Sequence, residues 1–115
     1  TLGVSHAKTL GSGTNISHSL LALGFRDEAT SMARKLLPAA LRSLGPDDDL
    51  TMKISTHLCG LLCNNAARTR DDLLEAETIM QDTLKRQRRV FGPAHPDTRI
   101  AEKSLSRARE QWSHA

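Results

Sequence analysis

An all-α solenoid of antiparallel helix hairpins is the fold this sequence predicts, and three observations predict it. The first is a recurring phrase. LGVSHAKT at 2–9, LGPDDDLT at 44–51 and FGPAHPDT at 91–98 each pair an apolar residue with Gly and place Thr six positions after that Gly. The second is a Glu-Ala pair, Glu28-Ala29 and Glu75-Ala76, whose Ala falls sixteen residues before the next Gly in both copies. The third is the return of apolar residues every three to four positions between these marks, the period of a helix with one buried face. Thr9, Thr51 and Thr98 are spaced 42 and 47 residues apart, within the range of repeat arrays. The five surplus residues of the second repeat lie between Thr51 and Ala76, most economically in the polar NNAARTRDD beginning at Asn64 (64–72). A hairpin with one apolar stripe per helix cannot cover its own core. It must stack on the next, and a regular stack curves into a superhelix.

Five helices follow. From Thr9, Leu10, Ile16 and Leu20 fall on one side of a helical wheel, with Gly11, Asn15, His18 and Ala22 opposite. A second helix starts near Asp27, whose carboxylate suits a helix N-terminus, and carries Ala29, Met32, Ala33, Leu36, Leu37, Ala40 and Leu44 as its apolar stripe. Pro38 inside it removes a hydrogen bond and predicts a kink. Leu44-Gly45-Pro46 stops that helix, because Gly permits a left-handed cap and Pro cannot continue. The Asp run at 47–49 caps the third helix, which buries Met52, Leu58, Cys59 and Leu62. The fourth runs from about Asp71 to Val90, burying Ala76, Ile79, Met80, Thr83, Leu84 and Phe91, and ends in KRQRR, whose charge complements a helix C-terminus. Gly92-Pro93 breaks the chain again. His95-Pro96-Asp97 opens a fifth helix, over about 96–112, with Ile100, Ala101, Leu105, Ala108 and Trp112. The repeats thus cover about 5–45, 47–92 and a half repeat at 95–113, in one domain over 1–115. Because residue 1 is Thr and TLG reads as the end of a helix, the chain is expected to be a piece of a longer array.

Composition narrows the function. At 38% apolar and 25% charged residues the chain is neither disordered nor membrane-embedded, and no apolar run nears the roughly 18 residues a membrane span needs. No signal peptide opens it, which makes a cytoplasmic setting the default. Cys59 and Cys63 share a helical face in poor geometry for a disulfide and read as small packed residues. With His57 they give a His-x-Cys-x-x-x-Cys spacing that lacks the paired knuckles of structural zinc, so no metal is expected. His6, His18, His57, His95 and His114 are scattered, and none forms a motif with a nucleophile. The GSG at 11–13 sits in an expected first helical turn, where an anion could bind, but no strand precedes it as in a phosphate loop. An enzyme is not expected, nor is a cofactor.

The corner phrase FGPAHPDT with its weaker copies, Asn15-Ile16 six and seven residues after Thr9, and GFRDEA at 24–29 together resemble tetratricopeptide repeats. The resemblance is to the long-repeat variety of kinesin light chains, and it covers nearly the whole chain. His57 and Ser104 stand where that variety has Asn, the second inter-helix loop carries the insertion, and there is no Tyr. The resemblance implies a right-handed superhelix of about two and a half repeats, a non-enzymatic scaffold that holds peptide segments of partner proteins in a concave groove. The first helix of each pair would line it, at the second, fifth, sixth, ninth, twelfth and thirteenth residues after each Thr. The candidate contacts so placed are Asn15, His18, Lys53, His57, Asn64, Lys103, Ser104 and Arg107; Thr14 and Cys63 fall at the fifth and twelfth places. Asn can clamp a peptide backbone by donating and accepting at once, and Lys53, Lys103 and Arg107 can meet carboxylates.

Charge has a direction. Residues 83–109 carry eight basic side chains against Asp97 and Glu102, whereas residues 1–82 are slightly acidic. An acidic partner is therefore expected near the C-terminal end. Two alternatives stay open. One is an RNA-binding helical-repeat module, against which stand a net charge of only +3 and a single Trp with two Phe for stacking. The other is a self-associating structural adaptor, a homodimer formed through the fifth helix, where Leu105 and Trp112 would offer apolar surface.

Overall fold

The computed structural model describes residues 2–65 and 67–113, with the side chains of 8–65, 67–107 and 109–110. Every regular element among them is helical: α1 (Leu2–Ala22), α2 (Arg26–Ser43), α3 (Asp49–Cys63), α4 (Arg70–Phe91) and α5 (Pro96–Ser113). This is the all-α helical-repeat fold expected. Two compact units divide the chain, Thr1–Ile54 and Ser55–Ala115.

In the first unit α1 packs on α2. Gly13 approaches Leu36 so closely that a Cβ there would lie 2.7 Å from its Cδ2, while Ser17 Oγ donates to the Ala29 carbonyl at 2.9 Å. Later residues of α1 meet earlier residues of α2, so the pair is antiparallel. Leu10, Ala40 and Ile54 form the core, with Leu36, Leu37, Ala39, Leu44 and Leu50 packed against it. The buried side of α1 is otherwise small or polar (Gly13, Thr14 and Ser17), and Ile16, expected inside, is half exposed. Small residues let α2 come close, which leaves no depth for a branched side chain.

α1 also corrects the first corner. The phrase at 2–9 is helical, and Thr9 is exposed, whereas Thr51 and Thr98 are buried. The reason is local: Val4 stands where the other copies have Pro46 and Pro93, and a Gly alone weakens a helix without ending it. Residues 11–13 then lie inside α1 and not in its first turn, so they offer no helix start to an anion. α2 continues across Pro38 to Ser43.

The true corners are built alike. Gly45 and Gly92 take φ of 88° and 90°, a region that disfavours any Cβ. Asp48 Oδ1 then accepts from the Leu50 amide at 2.9 Å, and forty-seven residues later His95 Nδ1 accepts from the Asp97 amide at 3.1 Å. Both are N-caps. His95 also stacks on Phe91 with ring centroids 4.6 Å apart, and Thr98 Oγ1 closes the corner on the Gly92 carbonyl at 2.9 Å.

In the second unit Leu58, Cys59, Leu61 and Leu62 of α3, Leu73, Ala76, Met80 and Leu84 of α4, and Ala101 and Leu105 of α5 are buried. Cys59 Sγ donates to the Ala76 carbonyl at 3.3 Å. α4 and α5 run antiparallel, tied by Arg88–Glu102 at 3.1 Å and Arg109–Glu77 at 3.2 Å. The insertion is only partly loop. α4 starts at Arg70, six residues before Ala76, while α2 starts at Arg26, three before Ala29. Residues 70–72, the end of the polar stretch, are helical, in keeping with the expected start near Asp71, because Thr69 and Asp72 form a capping box, with bonds of 3.1 and 2.9 Å.

Candidate peptide-binding faces

Six of the eight candidate contacts are exposed enough to meet a ligand, five on α1, α3 and α5 and Asn64 just beyond α3, and the other two, His57 and Ser104, are half-buried. In the first unit Asn15 and His18 are exposed on α1, one turn apart on one face. Lys53, on the first half of α3, is exposed and already paired with Asp49 at 2.9 Å across one turn. An incoming carboxylate would share it.

The second unit holds the denser set. His57 and Asn64 stand on and just beyond α3, and Lys103, Ser104 and Arg107 recur at three and four along α5. Cys63 feels charge from two sides: burial pushes its thiol up, while the positive charges of Arg68 and Arg107 pull it the other way. Arg68 comes from the α3–α4 loop, where its guanidinium donates to the Asn65 carbonyl at 3.3 Å. Periodicity could not have found it, because loop residues carry no helical register. The result is a cationic neighbourhood around Cys63, made from the end of α3, the loop and the middle of α5.

Two places expected to face a ligand are closed. Thr14 is buried and donates to the Leu10 carbonyl at 2.7 Å; Cys63 is buried too, and both cysteines are free thiols. Burial also pushes the Cys59 thiol up, reinforced by the charges of Cys63 and Glu75. Leu105, expected as exposed surface at an open end, is buried instead, because it packs back toward α4. The side chains of Ala108 and Trp112 lie outside the described residues, as do those of His6 and His114. Among the described residues no helix is long and apolar enough to cross a membrane.

Antiparallel hairpins repeated in one register define a helical-repeat protein. The family model described as tetratricopeptide repeat matches residues 65–97, which take in the end of the loop, all of α4 and the corner through Asp97. The match supports a tetratricopeptide-repeat protein. No curated protein and no solved structure matches the chain.

Proposed function

We propose that this chain is a non-enzymatic scaffold of the long-repeat, kinesin-light-chain-like kind, and that its second unit binds an acidic peptide segment of a partner protein. The exposed cations of α5 carry the reading: Lys103 lies one turn from Arg107 on the same exposed side of that helix, and the positive charges of Arg68 and Arg107 both act on Cys63 at the end of α3. Three cations in one neighbourhood attract carboxylates. Asn64 and Ser104 beside them can bond a peptide backbone, and His57 adds a ring that donates and accepts. Asn15, His18 and Lys53 offer similar chemistry in the first unit. Free buried thiols suit a reducing, cytoplasmic setting.

The test is fluorescence anisotropy with an acidic, unstructured peptide. Lys103→Glu with Arg107→Glu should weaken binding by about tenfold or more, and binding of the parent chain should weaken as salt rises. Equal affinity of parent and variant, or affinity indifferent to salt, would rule the reading out.

A further inference from the structure

One face of α1 stands open where its counterparts are shut. Lys8, Thr9, Ser12 and Ile16 are exposed, whereas at the same places of α3 Leu50 is half-buried and Thr51, Ile54 and Leu58 are buried, as Thr98, Ala101 and Leu105 are on α5. With Met32 and Leu36 of α2, both half-buried, Lys8, Ser12 and Ile16 line a groove of about 520 Å³. Ile16 is 50% exposed, so the groove shows apolar side chain to solvent. No carboxylate lines it, and among the described residues none pairs with Lys8. Such a surface suits a partner with apolar side chains and an acid beside them.

The start of α3 shows what shape of partner fits. There α2 covers the same places: Thr51 Oγ1 donates to the Ala40 carbonyl at 3.5 Å, and Ile54 shares a core with Ala40 that Leu44 and Leu50 pack against. The occupant is a helix lying antiparallel to the one it covers. Its side chains follow from volume. Ala40 and Ile54 hold two facing places of the repeat in the first unit, Gln87 and Ala101 hold the same two in the second, so a small residue goes with a larger one each time. α1 offers Ser12, smaller than Ile54, and calls for a large apolar residue on the helix that covers it.

The source of that helix follows from the corners. The turn that folds α2 onto α3 has no counterpart at 2–9: α1 begins seven residues before Thr9, while α3 and α5 begin two residues before Thr51 and Thr98. Nor does this chain offer a loose second helix to another copy, since α2 packs on α1 and the start of α3, and α4 packs on α5. We propose that the groove between α1 and α2 docks an amphipathic α-helix of a partner protein, antiparallel to α1, with a large apolar residue over Ser12, others over Ile16, and an acid against Lys8.

The probe is a labelled Ala/Leu/Gln amphipathic peptide of about 18 residues, long enough to be helical, carrying a single Glu and made with either Leu or Ala at the centre of its apolar stripe. Titrated with the full chain, the Leu form should bind the more tightly. Ser12→Ile, which gives α1 the side chain of α3, should reverse that preference. Ile16→Glu should weaken binding by about tenfold or more and Lys8→Glu by several-fold, while Lys103→Glu plus Arg107→Glu leaves it unchanged. Lys8, Ser12 and Ile16 are exposed, and circular dichroism melts of the variants check that they fold. Four results would each overturn the proposal: no binding; equal binding of a Pro-interrupted peptide of the same composition; a preference for Leu that Ser12→Ile leaves intact; or loss with the Lys103/Arg107 variant. A parent chain that sediments as a dimer broken by Ile16→Glu would overturn it in favour of a second copy. The acidic-peptide test at α5 succeeds or fails independently.

Discussion

Ser17 donates its hydroxyl to the carbonyl of Ala29 at 2.9 Å, and forty-two residues later Cys59 does the same with its thiol to Ala76 at 3.3 Å. Each bond joins the first helix of a hairpin to the second, and each acceptor is the Ala of a Glu-Ala pair. A side chain that bonds a helical carbonyl across a hairpin needs the two backbones close, which is why the acceptor is Ala. The recurrence is physical evidence of repetition, independent of how well the letters match.

Ser17→Ala should therefore destabilise the chain by about 1 kcal/mol, the usual net worth of a buried hydrogen bond. Cys59→Ser should be tolerated, because a hydroxyl serves where the weaker thiol donor now stands. Urea melts monitored by circular dichroism measure both. A Ser17→Ala variant as stable as the parent would remove the bond from the account of what holds the hairpin.

Alanine should act oppositely at two glycines. Gly92→Ala forces a Cβ onto a backbone at φ 90° and ψ 161° and should cost about 1–3 kcal/mol through strain, since no neighbour lies within 4 Å to clash. Gly11→Ala, inside α1 with equal space, should gain up to about 1 kcal/mol from helix propensity. Matching shifts in the two melting curves would contradict the corner geometry.

Gln87 is buried at 4% exposure in α4, and among the described residues its Oε1 has no hydrogen-bond partner. An unsatisfied buried acceptor costs about 1–3 kcal/mol. Gln87→Met keeps the side chain's length without the amide and should raise stability by about 1 kcal/mol. A marked loss of stability would mean that the amide is engaged.

The thiols should be silent in the native chain. Burial raises both Cys59 and Cys63 above the ordinary thiol range, so at neutral pH neither forms the nucleophilic thiolate readily. Iodoacetamide labelling should be slow until denaturant is added. The sign of the pH effect follows. Below pH about 9 the folded and unfolded chains both keep these protons, but above it the unfolded chain releases protons that the native chain retains, so stability falls as pH rises. A Cys59→Ala, Cys63→Ala variant should lose that alkaline decline, and urea midpoints across alkaline pH would reveal it if it persisted.

Much of the fold was legible because local chemistry carried it. Gly45-Pro46 and Gly92-Pro93 end helices by backbone sterics alone, and the Ala-rich stripe of α2 shows a period that only a helix uses. The same phrase misled at Gly3, where no Pro follows and the chain stays helical. The start of α4 near Asp71 was legible too, although the capping box of Thr69 and Asp72 shortens the loop drawn over NNAARTRDD. Six candidate contacts, placed by the resemblance, lie on open surface, and for most of them helical angle alone gives the same side, opposite the apolar stripe.

Sequence by itself determined the helices, their true corners and the repeat register, because each is set by residues within a few positions of one another. Tertiary structure alone decided that Ile16 lies half outside while Thr14 and Cys63 lie inside. It also brought the positive charges of Arg68 and Arg107 to bear on Cys63. Those outcomes depend on which helix comes close to which, and how near, a distance that no spacing along the chain encodes.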